Sequence, residues 1–244
     1  MTSVTLHGVT DTLSPQYEKY ATALETAAAA FKDAEALFND PDYVDRVGWK
    51  VDTENDEGDV VYSKFTPKGK MVTISTELDL DVDSVMNETW TGVEGLPEWN
   101  PNINFAKTIA SPTPHFDIIT YGNNDVLIVS GRDFVSARMY RKTSNGYIMA
   151  SRSVSIKEYP EVKGKVRAEL MLAGAQFMPH PEKEDVTKVN VVMLADLKGL
   201  LPKILVNQML GRIMLMDTEE NRKHYQSIRD RRENKENKEN NLKS

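Results

Sequence analysis

Two arginines on one predicted strand are the residues whose spacing points most directly to chemistry. Alternation along residues 132–142 places five side chains on one face of that strand: Arg132, Phe134, Ser136, Arg138 and Tyr140. If that face is solvated, the arginines are ordinary surface residues. If it is buried, each guanidinium needs a carboxylate, carbonyl groups or ordered water. Inside an apolar cavity such a group would anchor a ligand that has one hydroxyl or head group.

Other candidates for chemistry are few. Asp59, at the start of a strand predicted over 59–66, is a comparable anchor, although a carboxylate there is more often a turn residue. No two of the four histidines have the i, i+4 spacing of a helical zinc site, and nucleophile-elbow, P-loop and dinucleotide motifs do not occur. There is no cysteine for a disulfide or a thiolate metal site. We therefore expect a protein that is not an enzyme and needs no metal or other cofactor. The alternative is an enzyme that uses the same cavity.

The composition is that of a soluble globular protein. The 244 residues are 40% hydrophobic and carry a net charge of −7, which argues against a nucleic-acid partner. No apolar run reaches the length of a membrane span, roughly 18 residues. The first 14 residues match neither a signal peptide nor an arginine-rich mitochondrial presequence. We expect a cytoplasmic monomer with a flexible N-terminus over residues 1–14.

The elements that must position these residues follow from periodicity. A helix is predicted over residues 14–37, where Ser14 suits the cap and Pro15 the first turn. About nine strands follow, with one short helix inserted over 81–94. The strands are predicted over 59–66, 71–80, 103–110, 116–121, 126–130, 132–142, 146–156, 165–175 and 187–195. After residue 102 no helical pattern separates them, which predicts antiparallel connections and an α+β fold.

The last ordered element is predicted to be a long helix from Leu201 to about Gln226 that covers one face of the sheet. Its first half is apolar around more than one stripe, which is typical of a buried core helix or of a helix that also meets an apolar ligand. Gly199 and Pro202 mark a possible hinge before it. Asn207 and Gln208 interrupt the apolar run, so they either point into a cavity and select the ligand or cap the sheet edge. Residues 231–244 are charged and repetitive, and we expect a disordered tail.

Three motifs resemble a known family. They are Trp99-Asn100-Pro101-Asn102, then residues 132–138 (RDFVSAR), then Asp196-Leu197-Lys198-Gly199 with residues 201–203 and 207–208. In this order and spacing they resemble the START lipid-transfer domain, and the likeness spans about residues 15–228. It implies a helix-grip fold in which a curved antiparallel sheet wraps a long C-terminal helix and encloses a lipid tunnel. It also implies transfer of one lipid, such as cholesterol, between membranes, with transient contact at the membrane surface.

The resemblance places Arg138 as the buried arginine of a sterol tunnel. Members that carry sterols have an acidic partner on the strand near Tyr121, where this sequence has no carboxylate unless Asp125 takes that place. Tyr121, Asn123, water or an anionic head group would then satisfy the arginine, which leaves phospholipid, carotenoid or another sterol open, as well as a lipid-responsive sensor. The predicted ligand-binding residues are Arg138, Asp59, Tyr121, Asn123, Phe134, Ser136, Asn207, Gln208 and Met209. The predicted domain spans 15–230.

Overall fold

The fold is a large sheet with one long helix on each face. The computed structural model describes residues 1–125, 130–200 and 202–241. The helices are α1 (Ala21–Phe38), α2 (Pro41–Val44), α3 (Val82–Thr91), α4 (Leu96–Trp99) and α5 (Lys203–Asn241). The strands before α3 are β1 (Ser3–Leu6), β2 (Val9–Thr12), β3 (Lys50–Glu54), β4 (Val60–Thr66) and β5 (Gly69–Leu78). Those after α4 are β6 (Ile103–Thr113), β7 (Phe116–Asn123), β8 (Arg132–Thr143), β9 (Gly146–Ser153), β10 (Val166–Arg167), β11 (Glu169–Pro179) and β12 (Thr187–Asp196).

The main sheet has ten strands, nine of which run in the order β3-β4-β5-β12-β11-β9-β8-β7-β6. Every neighbouring pair along this path is antiparallel, and the two-residue β10 adds a parallel pairing to β8. The sheet is open, because its edge strands β3 and β6 do not pair with each other. The predicted α+β architecture with an antiparallel sheet and a long C-terminal helix is confirmed. The edge strand β3 was not predicted, because its polar sequence KVDTE shows no apolar alternation.

The two faces of β8 serve different cores because adjacent side chains on a strand point in opposite directions. Val135, Ala137 and Met139 pack against α1, whose alanines let the helix lie close to the sheet. At Gly174 on β11, an added Cβ would stand only 3.0 Å from the Ala34 Cβ. The opposite face, which includes Phe134, packs under α5. The sheet therefore separates a core under α1 from the space that α5 covers.

The N-terminus is structured, although the sequence leads us to expect flexibility over 1–14. β1 and β2 form an antiparallel hairpin, and Leu13 after it is fully buried. The reason lies on the α1 face of β8, where the wholly buried guanidinium of Arg141 binds the Asp11 carboxylate and donates to the Leu6 carbonyl at 3.0 Å. A buried arginine without these partners would cost several kcal/mol, on the order of 3–5. The hairpin is therefore an integral part of the domain.

The C-terminal helix also departs from expectation. Instead of becoming disordered past residue 230, α5 continues to Asn241. The segment is rich in Glu, Lys and Arg, which favour helix, and an i, i+4 pair joins Arg229 to Glu233 at 2.9 Å. The strand predicted over 126–130 and the helix start at Leu201 fall on or overlap positions 126–129 and 201, outside the described residues. The domain limits of 15–230 stay a prediction.

Candidate ligand-binding cavity

A partly open cavity of about 290 Å³ lies between the sheet and helices α3, α4 and α5. Its wall is mostly apolar. The apolar side chains include Val93, Leu96, Ile103, Ile119, Met149, Leu170, Ala173, Ala175 and Val191. A volume near 300 Å³ is at the small end of the range for small-molecule sites. An apolar wall with a few polar groups is the composition that binds an apolar ligand in a fixed orientation.

Arg138 contributes one polar group to this wall, and it is ion-paired. Its Nε donates to Asp117 Oδ1 at 2.9 Å and its Nη2 donates to Oδ2 at 2.6 Å, with both side chains about 95% buried. Nη2 also donates to the Trp90 carbonyl at 2.9 Å, and Nη1 to the Thr89 carbonyl at 3.3 Å. The indole of Trp90 lies 4.5 Å from the guanidinium carbon, in cation–π contact. We call this unit the Arg138–Asp117 pair.

The absence of an acidic partner, as read from the sequence, is therefore wrong. Asp117 is the residue directly opposite Arg138 in the antiparallel pairing of β7 with β8. The search near Tyr121 lay four residues too far along β7, and Asp125 is elsewhere, where its Oδ1 accepts from the backbone N–H of Gly131 at 2.5 Å. Directly opposed side chains share a face of the sheet, which makes the bidentate contact possible.

A second group of polar side chains lines the cavity from α5, from β7 and from the loop after α4. It consists of Asp217, Asn221, Asn100 and Tyr121, and we call it the Asp217 cluster. Asp217 Oδ1 accepts from the Nδ2 of Asn100 and from the Nδ2 of Asn102, each at 3.2 Å. Burial raises the pKa of the Asp217 carboxyl above its ordinary value, because it penalises the charged form. Burial, and then the charge of Asp217, raise the pKa of the Tyr121 hydroxyl.

Three further predicted site residues of β7 and β8 have different surroundings. Phe134 stacks on Tyr121, with ring centroids 4.9 Å apart, and is not itself a wall residue. Ser136 is fully buried, and its Oγ has no hydrogen-bond partner among the described residues. Asn123 also lies outside the wall, because its Oδ1 accepts from the Arg132 N–H at 2.6 Å. Tyr121 and Arg138 are thus the predicted residues that the structure brings together in the cavity.

Asp59 does not reach the cavity, so its assignment as a ligand anchor is wrong. It lies just before β4, and both of its carboxylate oxygens accept from Arg222 on α5, at 2.6 and 3.0 Å. This ion pair lowers the pKa of Asp59, with the hydrogen bond from Arg222 as the largest cause. Asp59 therefore fastens the middle of α5 to the edge of the sheet.

The predicted residues at the start of α5 also lie outside the wall. Asn207 and Met209 are half-buried and Gln208 is exposed, and the carbonyl of Asn207 accepts from Lys70 Nζ on β5. This contact uses the Asn207 backbone, so the two roles that the sequence left open for its side chain stay a prediction. Just before α5, Arg132 donates from Nε to the Leu197 carbonyl and from Nη2 to the Lys198 carbonyl, both at 3.0 Å. Arg132 thus fixes the loop that precedes the helix.

The wall residues of α5 were missed, and they lie between residues 217 and 225. Asp217, Asn221 and Tyr225 line the cavity, and their i, i+4, i+8 spacing puts them on one helix face. That row of polar residues, directly following an apolar stretch, is the signal that could have identified them. The same part of α5 closes the cavity. Tyr225 and Thr89 share a hydroxyl–hydroxyl hydrogen bond of 2.6 Å, and a smaller cavity of about 120 Å³ adjoins it there.

A second closing contact involves His224. Its Nε2 lies 2.8 Å from Glu88 Oε1 on α3, and its ring stacks on Trp99 of α4, with centroids 4.1 Å apart. Together with the bonds of Asp217 to Asn100 and Asn102, these contacts hold α5 over the opening. Elsewhere in residues 1–125, 130–200 and 202–241 no group of three potential metal ligands comes together. None of the helices described in those ranges has the length and apolarity to cross a bilayer.

Comparison with known proteins gives one consistent result. A family model for the START domain matches residues 30–231. The chain is 60% identical over 231 residues to steroidogenic acute regulatory-like protein 1 of Caenorhabditis elegans, covering 94% of this chain and 89% of that protein. It is 30% identical over 188 residues to the mitochondrial steroidogenic acute regulatory protein of Equus caballus, covering 74% of this chain and 64% of the relative. Human StAR-related lipid transfer protein 5 has a similar structure, with a TM-score of 0.75 at 19% identity, over 86% of this chain and 99% of that one.

Proposed function

The chain belongs to the START domain family, and on that premise we propose that it binds one lipid in the cavity and transfers it between membranes without catalysing a reaction. A sterol such as cholesterol is the ligand we favour. The observation that carries this choice is the Arg138–Asp117 pair, a buried and internally neutralised polar unit at a mostly apolar wall.

The hydrogen bonds of Arg138 favour a neutral oxygen as its ligand. A guanidinium has five N–H groups, and four of those on Arg138 donate to Asp117, Trp90 and Thr89. One Nη1 proton has no acceptor among the described residues. Because Asp117 already balances the charge, a hydroxyl suits this position better than an anionic head group. Ser151, directly opposite on β9, also lines the cavity and adds a second hydroxyl there.

The size of the cavity also favours a compact ligand. A volume of about 290 Å³ suits a rigid ring system better than a phospholipid with two acyl chains. Phospholipid, carotenoid and a lipid-responsive sensor are the alternatives, and the uptake assay below separates a sterol from a phospholipid. No described side chains form a nucleophile and base pair in the wall, so we assign no catalytic step to the cavity.

Lipid transfer needs a surface that meets the membrane, and the start of α5 offers one. Leu200 is fully exposed, Ile204 is 72% exposed and Leu205 is 44% exposed. Exposed apolar side chains grouped in this way are typical of protein or membrane contacts. We propose that these three residues, the α5 entry patch, make a transient contact with the bilayer. A monomer in the cytoplasm that associates briefly with membranes fits this role.

The direct test is lipid uptake by the purified full-length chain from vesicles that contain labelled cholesterol and labelled phosphatidylcholine. We expect one cholesterol per protein, transferable to unlabelled acceptor vesicles. Uptake of phosphatidylcholine alone would contradict the preference for a sterol. If neither lipid is taken up, and mass spectrometry of the protein as purified finds no lipid of any kind, the proposed function is wrong.

The anchoring role of Arg138 needs a variant that removes both charges. Arg138→Leu alone would leave Asp117 buried and unpaired, at a cost of about 3–5 kcal/mol, whereas the double change to leucine at Arg138 and Asp117 removes that penalty. We expect the double variant to bind cholesterol about tenfold more weakly, the loss of one charge-assisted hydrogen bond. Its affinity for the parent hydrocarbon without the hydroxyl should be unchanged.

The chain offers a matched control on the other face of the same strand. Arg141 and Asp11 form a second buried arginine–aspartate pair, away from the cavity. Changing both to leucine removes the same type of ion pair, and we expect it to leave both affinities unchanged. Equal loss of cholesterol and hydrocarbon binding in the cavity variant, with the fold intact, would contradict an anchoring role.

A further inference from the structure

We propose that the cavity selects a lipid with a hydroxyl at each end of an apolar body, because the Asp217 cluster forms a second polar end in addition to the Arg138–Asp117 pair. The inference rests on the proposed lipid-binding function and specifies the class of ligand. A lipid with a single polar head would satisfy only one of the two ends.

The Asp217 carboxylate can accept more hydrogen bonds than the described residues donate to it. Both protein hydrogen bonds to it, from Asn100 and Asn102, end on Oδ1. Among the described residues, none donates to Oδ2. Asn100 is 96% buried, so the amide that positions the carboxylate is itself fixed within the structure. Burial raises the pKa of this carboxyl, and a further hydrogen-bond donor from a ligand would stabilise its charged form.

Two neighbours in the Asp217 cluster also have unused hydrogen-bonding capacity. The Tyr121 hydroxyl has no partner among the described residues, although it lines the cavity. Asn221 donates from Nδ2 to the Asp217 carbonyl at 2.7 Å, which leaves its Oδ1 without a donor in the described part of the chain. A carboxyl oxygen, a phenol and an amide oxygen thus line one wall. All three side chains are half-buried and line the cavity, so a ligand group in the cavity can reach them.

The two polar ends are separate, and the strand geometry sets a scale. Asp117 and Tyr121 lie on the same face of β7, four residues apart, which corresponds to about 13 Å at 3.3 Å per residue. Asp117 belongs to one end and Tyr121 to the other, and Ile119 lies between them in the wall. A ligand that reaches both ends needs an apolar body of that length. A rigid steroid or isoprenoid with oxygen atoms at both ends has this form.

A hydroxyl is the group that suits the Asp217 cluster best. It can donate to the carboxylate or accept from the protonated acid, and it also pairs with Tyr121 and Asn221. An anionic group would be repelled by Asp217 and by Glu220, whose charge also raises the pKa of Asp217. Burial penalises the charge of Asp217 and raises the pKa of that carboxyl, so a second anion here would be disfavoured.

The test compares two ligands that differ in one group. The full-length chain is titrated with cholesterol and with a cholesterol derivative hydroxylated at the end of its side chain. We expect the dihydroxylated sterol to bind about tenfold more tightly, because cholesterol offers no hydrogen-bond partner to the Asp217 cluster. In Asp217→Leu this preference should fall to about twofold or less, with cholesterol bound at least as well as before. The wild-type comparison does not depend on whether the variant folds.

Asp230→Leu is the control, since Asp230 is an exposed aspartate on the same helix. It should keep the wild-type preference. Equal affinity of the wild type for the two sterols, or an equal loss of both in Asp217→Leu, would overturn the inference while leaving lipid binding in place. If the wild type binds neither sterol and no phospholipid, the proposed function itself fails, and the inference falls with it.

Discussion

Two consecutive segments of helix α5, residues 203–216 and residues 217–228, differ in hydrophobicity and in their contact with the cavity. Residues 203–216 are apolar, yet they supply none of the cavity wall, and they bury Leu210 and Met214 against the sheet while Ile204 and Met216 face solvent. Residues 217–228 are polar, and they supply the wall and the closing contacts. The comparison shows that a helix segment with apolar residues on several sides packs against the sheet and also exposes apolar side chains to solvent. The polar residues that point inward are the ones that line the cavity.

The largest expected effect is a loss of stability from a change in the first segment of α5, residues 203–216. Leu210 is 1% exposed and packs against Val61 and Val72, so Leu210→Ala should lower the free energy of unfolding by about 3 kcal/mol. Urea denaturation measures this loss. Cholesterol affinity at a temperature where the variant is folded should stay within about twofold of wild type, since the side chain lies outside the wall. A large loss of affinity in the folded variant would show that residues 203–216 also contribute to ligand binding.

A smaller loss of stability is expected when the second segment, residues 217–228, loses its hydrogen bond to Thr89. Tyr225→Phe removes the hydroxyl that bonds Thr89 and should cost about 1 kcal/mol of unfolding free energy. Because this bond joins α5 to α3 over the cavity, sterol exchange between vesicles should also become faster. Stopped-flow transfer of a fluorescent sterol measures the rate. Leu210→Ala serves as the comparison, and a rate increase of the same size there would show that general loosening is the cause.

Asp217, in the second segment, should make the stability of the protein depend on pH. Burial raises its pKa in the folded state above the ordinary value of 3.8, so the folded protein binds more protons than the unfolded chain. Its contribution to stability therefore decreases as pH rises from about 3.8 through the raised pKa. Asp217→Asn should raise the melting temperature at pH 7, on the order of 1 °C. The difference should vanish near pH 3.

Asp59 provides the opposite sign on the same helix. Arg222 lowers its pKa, so the pair stabilises the fold above the ordinary pKa of 3.8, and this contribution is lost as pH falls through the lowered value. Asp59→Asn should therefore lower the melting temperature at pH 7, and this difference too should shrink in acid. Shifts of the same sign for Asp59→Asn and Asp217→Asn would show that the two carboxylates do not differ as described.

The smallest change in stability is expected at the α5 entry patch. Replacing Ile204 and Leu205 with serine should change the unfolding free energy by less than about 0.5 kcal/mol, since both side chains face solvent. Vesicle co-sedimentation should fall severalfold. The control replaces Val44 and Val47, which are 63% and 52% exposed on another surface, with serine. If the control lowers co-sedimentation equally, the patch has no special role.

Alternation predicted most of the strands and put Arg138 on one face with Phe134, because both depend on local periodicity, and the family resemblance added that Arg138 is buried. It could not supply Asp117, because the partner of a strand residue is fixed by the register between β7 and β8, and that register depends on the length of the connection after Asn123. The N-terminal hairpin was missed for a similar reason. Asp11 reads as a turn residue until Arg141, 130 positions away in sequence, is placed beside it.

The α5 residues that line the cavity were not predicted, for a different reason. Asn207 and Gln208 were chosen because they are polar within an apolar run, which ignores the direction in which a helix residue points. Asp217, Asn221 and Tyr225 share the inward direction, but the predicted element was judged by its apolar content. Helical phase relative to the sheet is set by contacts such as Arg222 with Asp59, and these join distant parts of the chain.

The two arginine–aspartate pairs on opposite faces of β8 have a consequence for how the sheet assembles. Arg138 and Arg141 are three residues apart, so the strand carries one buried cation towards each face. If β8 paired one residue out of step, Arg138 would enter the packed core under α1 and Arg141 would enter the cavity, with Asp11 and Asp117 left unpaired. Each orphaned charge costs several kcal/mol, on the order of 3–5. The two pairs thus favour the observed register over one shifted by a residue, because the shift would leave their charges unpaired.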